Sequence, residues 1–307
     1  MRAPRSCAIC DGEVLPVFVA AGHEIFECSR CDHRMTWPNH PGADPAAHVR
    51  EVYSDDYFLA GGAGYPNYLE EESLMVRRGR WYAALMRRHG LQLGRVLDVG
   101  AAAGFVLKGL EDCGWQGVGV EPNARMARHA RDVLQRDVRT GTLETLELPA
   151  SSPADFDLIC FFQVLAHFID PRLALERAET MLAPNGHVLI ETWDWKSLTA
   201  RFFGESWHEY SPPSVLHWFC PASLERLGRE FGLEQVASGR PLKKLTGKHA
   251  RSLVAFKSGE GAVARLLAGA SSLIPLDAEL PYPFDDVRWT LFARSARGQD
   301  PGRGTAR

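Results

Sequence analysis

The stretch "LDVGAAAGF", residues 97–105, decides how the middle of this chain folds. Val96, Leu97 and Val99 form a short apolar run, Gly100 supplies a tight turn, and "FVLKGLEDCG" follows as a helix with Gly114 at its C-terminus. The same unit recurs. "GVGVEPN" predicts a second strand, "ARMARHARDVLQR" a helix, "DVRTG" a short third strand and "FDLICFF" a fourth. "DPRLALERAETMLAPNG" predicts a helix started at Asp170-Pro171, and "HVLIET" a fifth strand. Strands alternating with helices imply a parallel sheet with right-handed crossovers, an α/β doubly wound fold whose ligands bind beyond the carboxyl ends of the strands.

The loop also limits the ligand. A dinucleotide fingerprint needs glycines at 100, 102 and 105, but the chain has Gly100, Ala102 and Phe105, with its second glycine at 104. No G-x-x-x-x-G-K-[ST] segment occurs, so nothing is set up to cradle a triphosphate. Glu121, 21 residues after Gly100 and at the end of the second strand, is placed to accept hydrogen bonds from both hydroxyls of a ribose. The loop therefore suits a nucleoside without a pyrophosphate.

Composition bounds the rest. An apolar share of 45%, eight Trp and a formal charge of -3 over 307 residues predict a sizeable core and no overall pull toward nucleic acid or anionic membrane. "MRAPRSCAICDGE" lacks the apolar region of a secretory signal, and "DLICFFQVLAHF" is too short and too polar to span a bilayer. A cytoplasmic protein with reduced thiols is expected.

Four of the seven cysteines fall early, as Cys7-x2-Cys10 and Cys28-x2-Cys31 with 17 residues between the pairs. Each pair presents two thiolates from one turn, and two such turns close a tetrahedral S4 zinc site that stands in for a core. A redox pair is the competing reading. Four thiolates complete the shell, so the site is structural and His23 and His33 are not needed. Cys113, Cys160 and Cys220 read as small buried residues.

Residues 38–64, rich in Pro, Gly and Asp, read as a linker with local turns. In "NYLEEESLMVRRGRWYAALMRRHG", Leu74, Trp81, Leu85 and Met86 recur at helical spacing until Gly90, with Arg77 and Arg78 expected on a solvated face.

Together, "VLDVGAAAGFVLKGL", "GVGVEPN", "DVRTGTLETL" and "FDLICFFQVLAHFIDPRLALERAETMLAPNGHVLIET" resemble the class I S-adenosylmethionine-dependent methyltransferases over residues 95–193. The cysteine pairs and "SWHEYSPPSVLHWFCPASLERLGREFGL" further resemble a bacterial subgroup with an amino-terminal zinc-binding module. The resemblance implies a Rossmann-like seven-stranded sheet with "LEQVAS" and "DVRWTLFARS" as an antiparallel hairpin at its edge. It divides the chain into a zinc ribbon over 1–40, a linker and helix over 41–90, a methyltransferase domain over 91–295 and a disordered tail over 296–307. The stretch "LKKLTGKHARSLVAFKSGEGAVARLLAGAS" is expected as inserted helices. Its Lys243, Lys244, Lys248, His249 and Arg251 read as a solvated face or as a lid for an acidic acceptor.

The resemblance also implies site residues. Asp98, Gly100, Ala102, Gly104 and Phe105 match the loop lining the cofactor, with Ala102 departing from the usual glycine. Glu121 matches the ribose-binding acid and Pro122 the residue under the adenine. Thr142 and Leu143 match the positions flanking the adenine edge, and Gln163 lies where the sulfonium end is expected. A sulfonium methyl is already electrophilic, so alignment of the acceptor and removal of one proton suffice. His167 matches a histidine the family often shows after a Glu, replaced here by Ala166, and is the candidate base; packing or orienting a loop is its other reading. His217 and His208 are second candidates, weakened because Ser214-Val215 stands where the subgroup often has Glu-His. Trp207, Tyr210, Trp218 and Phe219 form either an acceptor wall or core packing.

Three functions fit. The favoured one is methyl transfer to a small molecule, a sugar or secondary metabolite, at oxygen. The second is an rRNA or tRNA methyltransferase gripping RNA through the ribbon. Against it, Arg2, Arg5, Arg30 and Arg34 are offset by Asp11, Glu13, Glu24, Glu27 and Asp32. The third is a non-catalytic binding module.

Overall fold

Two cysteine turns and a hairpin open the chain, in a computed structural model that describes residues 6–37, 45–59, 67–147, 156–248, 250–251, 273–276 and 278–295. The two turns repeat one hydrogen-bond pattern. Asp11 N donates to Cys7 O and Asp32 N to Cys28 O, while Cys7 N and Cys28 N reach forward to Gly12 O and His33 O. Between them β1 (Val14–Ala20) and β2 (His23–Cys28) pair antiparallel, and β3 (Arg34–Met35) pairs with β2.

Residues 45–59, expected as linker, are two helices instead: α1 (Pro45–Val52) and α2 (Asp55–Leu59). A proline at the first helical position is compatible with a helix start, and Asp55 and Asp56 in the first turn of α2 suit the helix dipole. The turn-rich composition concealed both. The helix expected next is present as α3 (Glu72–Arg88), with Leu74, Leu85 and Met86 buried.

The central unit follows as β4 (Arg95–Val99), α4 (Phe105–Glu111), β5 (Gln116–Glu121), α5 (Ala124–Asp132), β6 (Val138–Thr140), β7 (Phe156–Phe162), α6 (Pro171–Met181) and β8 (Leu182–Trp193). Asn123 caps α5 and Asp170 caps α6, each side chain accepting two backbone N–H groups of the first turn. The helix α6 ends at Met181, earlier than the sequence suggested, because "LAPNG" already runs as the start of β8. After α7 (Leu198–Phe203), β9 (His217–Trp218) and α8 (Pro221–Glu230) come β10 (Leu233–Gly239), β11 (Lys244–Thr246), β12 (Glu279–Pro281) and β13 (Val287–Arg294).

The main sheet has the order β10-β13-β8-β7-β4-β5-β6. Its five central strands β6, β5, β4, β7 and β8 are parallel, and β13 runs antiparallel between β8 and β10. This is the expected Rossmann-like sheet of seven strands with the antiparallel hairpin at one edge. Chain order reverses at β4, flanked by β5 and β7, so the switch point lies above the loop 100–104.

Two further expectations change. The basic insert does not open as a helix: β11 pairs antiparallel with β12, Leu245 opposite Leu280. Residues 252–272 of that insert, His249 and the tail from 296 lie outside the described residues. Cys160 and Cys220 are buried as expected, but Cys113 is exposed, at the end of the turn after α4. Among the described residues no helix is long and apolar enough to cross a membrane.

The α3 and α4 helices cross in backbone contact. A Cβ built on Gly79 would stand 2.2 Å from Val106 O, and one on Gly109 2.2 Å from Val76 O. Gly79→Ala is expected to destabilise the protein by about 1–3 kcal/mol, since helix backbones move apart only at the expense of the packing around them. Urea unfolding checks it, and an unchanged midpoint would show that the helices separate freely.

Candidate functional site

The turn after β4 carries three consecutive tight features. Gly100 and Gly104 have φ of +72° and +77°, and between them Ala102, the residue standing where glycine was expected, is also left-handed at φ +47°. An L-residue there is strained by roughly 1 kcal/mol. The strain has a counterpart: Ala102 N–H is turned onto Glu121 Oε2 at 2.8 Å. The other oxygen, Oε1, accepts from Asn123 N at 2.8 Å. The Glu121 carboxylate, 3% exposed at the end of β5, thus clamps the loop after β4 to the loop after β5.

Asp98, next to last in β4, is 2% exposed and close enough for the two acids to repel. Burial pushes its carboxyl up to about 8, with the Glu121 charge adding to the rise. Burial likewise pushes Glu121 up to about 7, opposed by the N–H groups of Asn123 and Ala102. Two acids in a dry strand-end site suit a cationic or hydroxyl-bearing ligand.

The remaining sequence-selected positions separate. Pro122 is half-buried and Leu143 is 1% exposed, with Thr142 in the turn after β6, closed by Thr142 N donating to Thr145 Oγ1. Phe105 is fully buried, stacked on Tyr68 at 5.5 Å and perpendicular to His129, so its ring supports the loop from behind. Gln163, after β7, is left-handed at φ +58°, its N–H bonded to Glu191 O and its amide Nε2 buried among the described residues without a partner.

His167 follows in a short turn. Its Nδ1 lies 2.5 Å from Ser214 O. A carbonyl only accepts, so Nδ1 carries the proton and the neutral ring keeps its lone pair on Nε2. Burial lowers its pKa, outweighing the carbonyls of Ser214 and Gln163 that favour the charged form. The tautomer leaves Nε2 able to take a proton.

His217 goes elsewhere. It is 1% exposed in β9, with Nδ1 3.0 Å from Nε2 of buried His33, and burial pushes it down to about 4. This is the seam between the cysteine module and the main sheet, beside the turn that carries His167. His208 is also apart, against Glu209 at 2.8 Å and near Asp286. Trp207, Tyr210, Trp218 and Phe219 are all buried, with Tyr210 packed edge-on against Phe18, Trp207 and Trp218. They form core at the same seam, not an acceptor wall.

The sequence missed several groups. Arg78, expected on a solvated face, forms an ion pair with Glu191, fully buried beside Gln163, which also accepts from Tyr82 OH. Helical period alone does not say which face meets a buried acid. Asn123 was findable: an Asn directly before a helical run is a cap, and here the cap also binds Glu121.

The four cysteine thiols are buried and lie within 4.8 Å of one another, with Cys7 and Cys31 sulfurs 3.6 Å apart and Cys10 and Cys28 3.5 Å. Tetrahedral zinc with sulfur ligands places sulfurs about 3.8 Å apart. Ile9 N and Arg30 N donate to Cys7 Sγ and Cys28 Sγ, the support that thiolates need. The donor set fits such an ion.

A strand-end site of this kind on a sheet of this order defines a class I methyltransferase fold. Residues 76–238 match the family model described as "Methyltransferase domain", and the chain belongs to that family. It is 33% identical over 132 residues, 40% of this chain and 47% of the relative, to a ubiquinone biosynthesis O-methyltransferase of Bradyrhizobium diazoefficiens. A protein of the same name from Azorhizobium caulinodans is 32% identical over 165 residues, covering 50% of this chain and 61% of its own. The match thus spans about half the length of these relatives. Among solved structures, magnesium protoporphyrin IX methyltransferase of Synechocystis with bound S-adenosylhomocysteine superposes over 80% of this chain and all of its own, with a TM-score of 0.51 and 13% identity. At that identity the likeness shows the fold.

The raised acids have a pH consequence. Folded Glu121 holds its proton up to about 7, against 4.5 ordinarily, so ionising it in that window weakens the folded state relative to the unfolded one. Glu121→Gln removes this loss. Its stability relative to wild type is expected to rise by about 2 kcal/mol between pH 5 and pH 8. Urea denaturation at both pH values checks this, and a difference that stays constant or falls would contradict it.

Proposed function

We propose that this chain transfers the methyl group of S-adenosylmethionine to an oxygen of a small molecule. The Glu121 clamp carries the reading: a carboxylate fixed by two backbone N–H groups at the switch point of the sheet offers its remaining lone pairs to a ribose diol. Asp98 and the loop Gly100, Ala102 and Gly104 would hold the amino-acid end, Pro122, Thr142 and Leu143 the adenine, and Gln163 the region of the sulfur. Bound there, the cofactor supplies a positively charged sulfur bearing an electrophilic methyl.

The chain's own groups do the rest. The amide Nε2 of Gln163 orients the acceptor, and His167 Nε2 takes its hydroxyl proton as the oxygen becomes a nucleophile. With its pKa lowered by burial, His167 stays neutral and ready through neutral pH. The relatives named for ubiquinone O-methylation support oxygen as the target and a small molecule as the acceptor. RNA binding through the cysteine module is not favoured, because that module is tied to the body by strand pairing and its seam is filled by core side chains.

We assign Zn2+ to Cys7, Cys10, Cys28 and Cys31 as a structural ion, its shell closed by four thiolates, and a reducing compartment, the cytoplasm, as the setting that keeps them available.

Calorimetry with S-adenosylhomocysteine tests the cofactor site. Glu121→Ala should weaken binding roughly 10- to 100-fold, as loss of hydrogen bonds to a charged group does, while His167→Ala binds normally. Once an acceptor is found, His167→Ala should lower turnover about 10²- to 10⁴-fold. Wild-type protein that binds no S-adenosylhomocysteine would refute the assignment, and unchanged turnover would remove His167 as base. Elemental analysis should find about one zinc per chain, lost in Cys28→Ser. A metal-free protein with intact thiols would refute the metal site.

A further inference from the structure

One carbonyl in the site serves two donors. Ser214 O accepts from His167 Nδ1 at 2.5 Å and from the hydroxyl of Tyr53, the residue just after α1, at 2.7 Å. The Tyr53 ring stands 5.5 Å from the His167 ring and nearly perpendicular to it. Burial pushes the phenol well above its ordinary value, so it remains a donor throughout the physiological range.

Tyr53 is tied at its other end to the cofactor side. Its own carbonyl accepts from Asn123 Nδ2 at 3.0 Å, the same amide reaching Asp55 Oδ1 at 3.2 Å. Asn123 N in turn donates to Glu121 Oε1. Hydrogen bonds thus link Glu121 to His167 residue by residue, through the backbone and side chain of Asn123, the carbonyl and hydroxyl of Tyr53, and the Ser214 carbonyl. Tyr53 and Asp55 lie before residue 76, outside the stretch shared with the family.

We propose that Tyr53 is a positioning residue for His167: it holds the Ser214 carbonyl where it fixes the proton on Nδ1, and couples that geometry to the loop that carries Glu121 and Asn123. The proposal rests on the reading of His167 as the base. Among the described residues the turn that bears Ser214 is also held by Ser214 Oγ and Val215 N on Ser211 O, and its far end by Leu216 N on Ala166 O. Nothing in that local turn fixes the carbonyl relative to Glu121, whereas Tyr53 does.

The sign of the effect follows from what faces the ring. Two carbonyls, of Ser214 and Gln163, and the Glu209 charge favour imidazolium; burial opposes it, as do His48 on α1 and His217 from the seam if charged. Removing the Tyr53 hydroxyl releases the Ser214 carbonyl from the position in which it accepts from Nδ1. Loss of that acceptor disfavours the charged form and frees the proton to move between the two ring nitrogens.

The test is imidazole nitrogen NMR on the full, zinc-loaded chain. Wild type should show His167 as the Nδ1–H tautomer with a pKa below the ordinary histidine value. Tyr53→Phe should lower that pKa further, by about 0.5 unit or more, and mix the tautomers. Its affinity for S-adenosylhomocysteine should stay within about threefold of wild type. Asp55→Ala, at an exposed position, should move the pKa the same way by less, and it carries the test alone should Tyr53→Phe fail to fold. An unchanged His167 pKa and tautomer in the folded variants would overturn the proposal. A wild type that does not bind S-adenosylhomocysteine, or an active His167→Ala, would instead count against the functional reading on which it rests.

Discussion

The site depends on one carboxylate and the two peptide N–H groups it accepts. Glu121 lies at the end of β5, one strand from the turn that bears Ala102, and holds both that turn and the first residues before α5. Its two hydrogen bonds explain the left-handed Ala102, a conformation that an alanine adopts only when something outside the residue repays it. They also explain why two loops that share no sequence signature form one surface. A carboxylate with two of its four lone pairs already used on the backbone is rigid, dry and still able to accept from a ligand.

A second constraint holds the amino-terminal module. Its sheet does not end with its own strands, because β3 pairs with β9 and Thr36 N reaches Leu216 O. Arg34 lies 3.7 Å above the Trp195 ring, donates to Tyr210 OH and pairs with Glu27, so one guanidinium bridges the module and the main body. The short helix turn holding His167 is tied to the same seam, through Leu216 N on Ala166 O.

What was legible followed the range of the interaction. The strands, their order of appearance and the loop 97–105 were readable because each is local, set by apolar runs, glycine turns and caps such as Asp170. The place of Glu121 was readable, at the end of a strand a fixed distance from that loop. Pairings between distant segments were not: nothing in "SDDYF" signals that Tyr53 will meet Ser214, nor in "MVRRGR" that Arg78 rather than Arg77 will meet Glu191. The histidines show the same limit. His167 and His217 look alike in sequence, and only the β3–β9 pairing places the second beside His33 in the core seam. Segment 45–59 misled for a different reason, since its proline and aspartates serve as helix starts as well as turns.

The measurement that bears most directly on this account is a crystal structure of the chain soaked with S-adenosylhomocysteine. The account predicts a nucleoside above β4 and β5, both ribose hydroxyls on the Glu121 carboxylate, and the sulfur turned toward Gln163 and His167. A nucleoside bound elsewhere, or a ribose that leaves Glu121 untouched, would contradict it.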